Sequence, residues 1–132
     1  MKNIRPAGLG WFRKKAVDPH SPDVGHIKVS KYYTAGESWT SSEVWWFDIP
    51  LDRLNKAAPD HIHLLCQKAV SSQDFFHLEV PNSVLLHAVN SHSVEVTPQS
   101  VVRLHLSARS VDRFVDLRAR STLRLHLSRF LK

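Results

Sequence analysis

The sequence contains a single cysteine, Cys66, so no disulfide can form within the chain and covalent cross-links play no part in its stability. It has four glycines in 132 residues and shows no Gly-rich phosphate loop, no Gly-x-Ser-x-Gly and no Cys-x-x-Cys, which removes the usual signatures of nucleotide hydrolysis, serine hydrolysis and dithiol chemistry. No stretch approaches the roughly 18 to 20 consecutive apolar residues of a membrane span. Met1 to Lys15 is basic but lacks the apolar core of about 7 to 15 residues that a secretory signal requires. These absences together lead to the expectation of a soluble protein in a reducing, cytoplasmic setting, with no membrane partner.

What is present suits one hydrophobic core. The chain is 42% hydrophobic and 9% aromatic, and its 132 residues are enough for a single domain and too few for two. Charge is unevenly spread. Residues 1–15 carry five basic side chains and no acidic one; residues 16–100 carry five basic against ten acidic; residues 101–132 carry eight basic, seven of them Arg, against Asp112 and Asp116. A chain basic at both ends and acidic in the middle either attracts polyanions or neutralises itself, ends against centre.

Periodicity assigns the elements. Residues 1–17 read as an N-terminal helix or arm holding Trp11, Phe12 and Val17, and Ile27 to Tyr33 reads as a strand. Val44 to Ile49, closed by Pro50, is the best strand, with Trp45, Phe47 and Ile49 on one face and Val44, Trp46 and Asp48 on the other. Leu51 to Ala58 reads as a helical turn stopped by Pro59. His61 to Cys66 and Phe75 to Val80 are further strands, Pro81-Asn82-Ser83 begins a helix carrying Leu85, Ala88 and Val89 on one face, and Val94 to Val96 is a brief strand. The expected fold is α+β: one mostly antiparallel or mixed sheet of five to six strands with two or three short helices.

The clearest internal pattern is Arg103-Leu104-His105-Leu106-Ser107, which recurs as Arg124-Leu125-His126-Leu127-Ser128. Each copy alternates, so Val102, Leu104 and Leu106, and likewise Leu123, Leu125 and Leu127, point inward while Arg, His and Ser point outward. Between them Ser110 is placed to cap a helix with Val111, Phe114 and Val115 on one side. A helical crossover would make the copies neighbouring parallel strands and gather Arg103, His105, Arg124 and His126 on one cationic face, suited to phosphate.

Other constellations carry weaker chemistry. His61 and His63 share one side of a strand and form a candidate metal pair, with Asp60 before them and Asp74 or His77 as later ligands. Cys66 lies among apolar neighbours and reads as a buried, inert thiol. Trp46 and Val44, with Trp39, Tyr32 and Tyr33 nearby, form a candidate apolar patch for a partner or a small apolar ligand. A homodimer through the Trp46 face or the last strand is expected.

The order helix, three strands, helix, strand resembles the core of the PD-(D/E)xK nucleases over residues 6–106. Pro59-Asp60 and Glu79 stand for the acidic positions, which the resemblance implies would hold magnesium for phosphodiester cleavage. The sequence departs from that family after Glu79, where Val80 and Pro81 occupy the place of the motif lysine and Lys68 lies on the preceding strand. The leading expectation is therefore a non-enzymatic binding protein with no cofactor, contacting nucleic acid or another polyanion through its Arg-rich C-terminal region; the alternative is a metal-dependent hydrolase at Asp60 and Glu79.

Overall fold

Helix α1 (Arg5–Lys15) forms despite Gly8 and Gly10, because Phe12 is anchored beneath it and Gly8 rests directly on strand β1 (Ile27–Ser30). A Cβ on Gly8 would stand 2.4 Å from Cγ1 of Val29, so the glycine is what lets the helix approach the strand. The chain is described here by a computed structural model over residues 3–15, 26–36, 42–56, 59–117 and 124–132. Val17 and Trp39 lie outside these residues.

After β1 follow β2 (Val44–Pro50), a single helical turn α2 (Leu51–Leu54), β3 (His61–Gln67), β4 (Phe75–Pro81), helix α3 (Asn82–Asn90), the short β5 (Glu95–Val96) and β6 (Val101–Ser107). The fold is α+β, as the periodicity predicts. The expected helical turn to Ala58 is shorter, ending at Leu54, and the strand expected to reach Tyr33 ends at Ser30.

The six strands form two sheets and not one. In the first, β1 runs parallel to β3 and β4 antiparallel to it; in the second, β6 lies antiparallel between β2 and β5. The division falls between β1 and β2, and a side chain causes it: the Trp46 backbone N–H donates to the Ser30 hydroxyl at 2.8 Å, where a continuous ladder would use a backbone carbonyl. The sheets meet again at one bridge, with paired Tyr33 and Val44 bonds of 3.0 and 3.1 Å. Gln67 ties the same seam, its side-chain oxygen accepting the Tyr32 N–H at 2.9 Å and its backbone carbonyl accepting the Trp45 indole N–H at 2.7 Å.

The C-terminal segment closes the opposite side. Residues around Val115 and Asp116 pair with Leu106 of β6, His126 pairs with Val115, and Leu131 pairs with Leu78 of β4. Strand-like pairing therefore passes from β1 through β3 and β4 to residues 124–131, then through Val115–Asp116 to β6 and β2, and the Ser30 and Tyr33 contacts close the ring between β2 and β1. Inside this ring lie Trp45, Phe47, Ile49, Ile62, Leu64, Leu78, Val102, Leu104, Leu106 and Leu127, all buried. Complete burial of such side chains contributes roughly 1.5–3 kcal/mol each. A second, smaller cluster of Phe12, Ile27, Leu65 and Phe75 joins α1 to the outer face of the first sheet.

The interval between the two Arg-x-His-x-Ser copies is not helical. Ser110 to Phe114 form turns, Val111 is 85% exposed, and Phe114 adopts φ 69°. The helix loses to β6: the Phe114 N–H donates to the Ser107 carbonyl and the Ser107 N–H to the Val115 carbonyl, both at 2.8 Å, while the Asp112 carboxylate accepts from the Ser107 hydroxyl and from Arg109. The copies consequently run parallel but are not neighbours, because Phe114–Asp116 lies between them.

Candidate functional site

The separation of the copies breaks up the cationic face expected from the sequence. On β6, Arg103 pairs across the register with Asp48 of β2, donating from Nε to Oδ1 at 2.9 Å, and its guanidinium lies 5.1 Å from the Trp46 ring. The His105 ring packs against Trp46 at 4.5 Å, and His105 and Ser107 are buried. Val44, expected in an exposed apolar patch, is 2% exposed, because residues 31–33 turn across it and pair Tyr33 with it. Trp46 is half-buried beneath Arg103 and His105, so this face is a closed stack of paired side chains. Of the exposed large apolar residues among those described, Val70, Val96, Val111 and Leu131, only Val96 neighbours it in the strand pairing, opposite Val102 and next to Glu95, which faces Arg103.

The second copy behaves differently. Leu127 is buried and Leu125 half-buried, so Arg124 and His126 project to the surface, where the segment 124–129 faces α3. Between them lies a pocket of about 520 Å³. Arg124, His126 and Arg129 line it from the C-terminal segment, and His87 with Ser83, Ser91 and Ser93 from α3 and the turn that follows it. Among the described residues its walls include no carboxylate. Among the described residues, Arg103, Arg109, Lys68 and Lys132 enter ion pairs with acidic side chains, and Arg124 and Arg129 enter none.

The wall contributed by α3 follows from the helix's amphipathic spacing. Leu85 and Ala88 turn into the core, which leaves Ser83 and His87, four residues apart, on the outer side. Beyond Asn90 the chain stops with the Ser91 hydroxyl on the His87 carbonyl at 2.8 Å and the Ser93 hydroxyl on the Ala88 carbonyl at 3.1 Å, so the two serines are fixed at the pocket's end. His87 and Arg129 escaped the sequence reading. The signal for His87 was the polar side of the Leu85, Ala88, Val89 pattern and that for Arg129 the Arg-rich C-terminal region, and nothing local relates the two, some forty positions apart.

The alternative acidic site does not assemble. Asp60 is bonded to Nδ1 of its neighbour His61 at 2.7 Å, a contact that holds its carboxyl below the usual range. Glu79 stands opposite His63 in the β3–β4 register and pairs with the Lys132 ammonium at 2.7 Å; partial burial pushes its carboxyl up, and Lys132 with His63 and His61 more than reverses this. His63 is turned to His77, its Nδ1 2.9 Å from Nε2 of that ring, with Phe12 packed edge-on against both. No group of three or more His, Cys, Asp or Glu side chains among the described residues is arranged to hold a metal ion. Each candidate ligand is spent on a protein partner. The chain order also departs from the nuclease core, since four strands precede α3 and β2 belongs to the other sheet, with β6. Cys66 is fully buried in the main core, and burial pushes its thiol well above the ordinary value, which leaves no thiolate for chemistry.

No helix among the described residues is long and apolar enough to cross a membrane. No family model, no curated protein and no solved structure matches this chain.

Proposed function

We propose that this protein is a binding module for a phosphate-bearing anion, held in the pocket between α3 and residues 124–129. The observation that carries the reading is the pocket's composition: Arg124, Arg129, His87, His126 and three serines around about 520 Å³, with no acidic side chain among the described residues of the wall. Arginine presents a planar fork of donors that matches phosphate oxygens, and the Ser83 hydroxyl adds a neutral donor, those of Ser91 and Ser93 being given to the His87 and Ala88 carbonyls. Hydrogen bonds from ionised donors are worth about 1.5–3 kcal/mol each, so two guanidiniums in bidentate contact supply most of the roughly 8 kcal/mol of micromolar binding of a small phosphate ester.

The reading keeps the C-terminal half of the anion site expected from the sequence, Arg124 and His126, and drops Arg103 and His105. Binding suits a site whose described wall holds no carboxylate to orient His87 and His126. The test is calorimetric titration with inorganic phosphate and with a nucleoside 5′-monophosphate at low and moderate salt. Arg124→Ala and Arg129→Ala are each expected to weaken binding by about tenfold or more. Absence of binding at low salt, or binding indifferent to both substitutions, would overturn the reading.

A further inference from the structure

The two basic ends of the sequence converge on β4. The Lys132 backbone N–H donates to the His77 carbonyl at 2.9 Å, and Trp11 of α1 packs against the His77 and Phe75 rings, with centroid distances of 6.4 and 5.8 Å. A second pocket, of about 510 Å³, opens where they meet, lined by Trp11, Lys15, Lys68, Asp74, Phe76 and Lys132 among others. The one acidic side chain among its described lining residues is already engaged: Asp74 accepts from the Trp11 indole at 2.7 Å and pairs with Lys68 at 3.1 Å. Lys132 is balanced by Glu79, whereas Lys15 enters no ion pair among the described residues and continues the exposed run Arg13-Lys14 at the end of α1.

The two pockets are lined by successive parts of one segment. Arg124, Leu125, His126 and Arg129 line the first and Leu131 with Lys132 the second, and the 3-10 turn Ser128–Phe130 leads from one lining to the other, the ridge a bridging ligand would cross. On one side of that ridge stand guanidiniums and hydroxyls; on the other stand ammonium groups around an indole. A single phosphate cannot reach both, but an extended polyanion can.

We propose that the physiological ligand is a single-stranded nucleic acid that runs from the α3 pocket over the Ser128–Phe130 ridge into the Trp11 pocket. Its phosphates meet Arg124 and Arg129 on the first side and Lys15 on the second, and one base stacks on the Trp11 indole. This rests on the phosphate-binding reading of the first pocket and extends it to a substrate class. Aromatic rings interleaved with a cationic track are the means by which proteins hold single strands without sequence readout, because every base offers a π-face. A duplex is disfavoured by the same geometry: its bases are stacked on each other and its stiff backbone cannot follow two hollows across a ridge. An acidic peptide would satisfy the cations and leave the indole without a stacking partner.

The experiment is fluorescence anisotropy with end-labelled oligonucleotides of increasing length, from a dinucleotide to about twelve residues, compared with a duplex of the same length and with poly-glutamate. It is run beside the monophosphate titration, on the full chain and on Lys15→Glu, Trp11→Phe and Arg124→Ala. Lys15 is exposed on α1 and its substitution leaves the core untouched. The expected result is affinity that rises about tenfold or more with length, falls with salt, and drops about fivefold or more in Lys15→Glu while monophosphate binding is unchanged; Arg124→Ala weakens both. Affinity independent of length and of Lys15, with the monophosphate still bound at Arg124, overturns the strand proposal and leaves the pocket reading standing. Loss of monophosphate and oligonucleotide binding together overturns both. Tighter binding of the duplex or of poly-glutamate overturns the proposal in favour of that class.

Discussion

Nδ1 of His63 and Nε2 of His77 face one another at 2.9 Å beneath Phe12, so this contact between β3 and β4 requires one ring to donate and the other to accept. Burial, and then His63, lower His77 to about 4, with Glu79 opposing; burial also lowers His63, with Glu79 opposing and His61, His26 and Lys132 adding to the shift.

Both folded-state values lie below the ordinary histidine value, so the unfolded chain takes up protons first as pH falls. Stability from this pair is present above about pH 6.5 and is lost as pH drops toward 4. The loss is expected to be on the order of 1 kcal/mol, because solvent reaches part of both rings and screens the effect. Denaturant midpoints between pH 7 and 4.5 check this against His77→Gln. The substituted protein should show a visibly flatter profile in that window. The carboxylates Asp60, Asp74, Glu79 and Asp112, all held below their usual values, lose their contribution at lower pH in both proteins and so identify themselves by their window.

Gly8 and Gly10 sit in the same helix and should respond oppositely to alanine. At Gly10 nothing lies within 4 Å of an added Cβ, and replacing a helical glycine where the methyl has open space gains about 0.5–1 kcal/mol. At Gly8 the new methyl would meet both γ carbons of Val29, at 2.4 and 2.7 Å, and the overpacking cost of about 1–3 kcal/mol exceeds the helical gain. Urea denaturation should therefore show a raised midpoint for Gly10→Ala and a lowered one for Gly8→Ala. Equal shifts would mean that α1 is not seated on β1 as described.

Arg103 and Arg124 occupy matching places in the sequence repeat, yet their roles are separable. Arg103 is held by Asp48 and Trp46, and Arg124 lines the α3 pocket. Arg103→Ala is expected to leave phosphate binding within about twofold and to cost no more than about 1 kcal/mol of stability, the usual worth of a partly exposed ion pair. Arg124→Ala should do the reverse, weakening phosphate binding while barely moving the denaturation midpoint. Parallel calorimetry and denaturation of the two variants decide it.

The alternation of Trp45, Phe47 and Ile49, of Ile62, Leu64 and Cys66, and of Val102, Leu104 and Leu106 determined which sides of β2, β3 and β6 are buried, because a strand turns successive side chains to opposite faces whatever its neighbours are. For the same reason the α+β class and the inward placing of Leu125 and Leu127 could be read directly. Leu65, on the supposed polar side of β3, could not: it is buried only because α1 covers that side, and the covering is a tertiary fact.

Strand order, the break into two sheets at Ser30 and the turns at Ser110–Phe114 were likewise decided by long-range hydrogen bonds that local propensity does not contain. The sequence by itself determined that both ends of the chain are basic and that Arg-x-His-x-Ser occurs twice. Only the tertiary structure decided that one copy is locked against Asp48 and Trp46 while the other borders a pocket, and that α1 and the C-terminal segment meet at β4. Charge and periodicity are properties of residues in order along the chain, whereas a site is made by residues far apart in that order, and which of them meet is fixed by the packing of the whole.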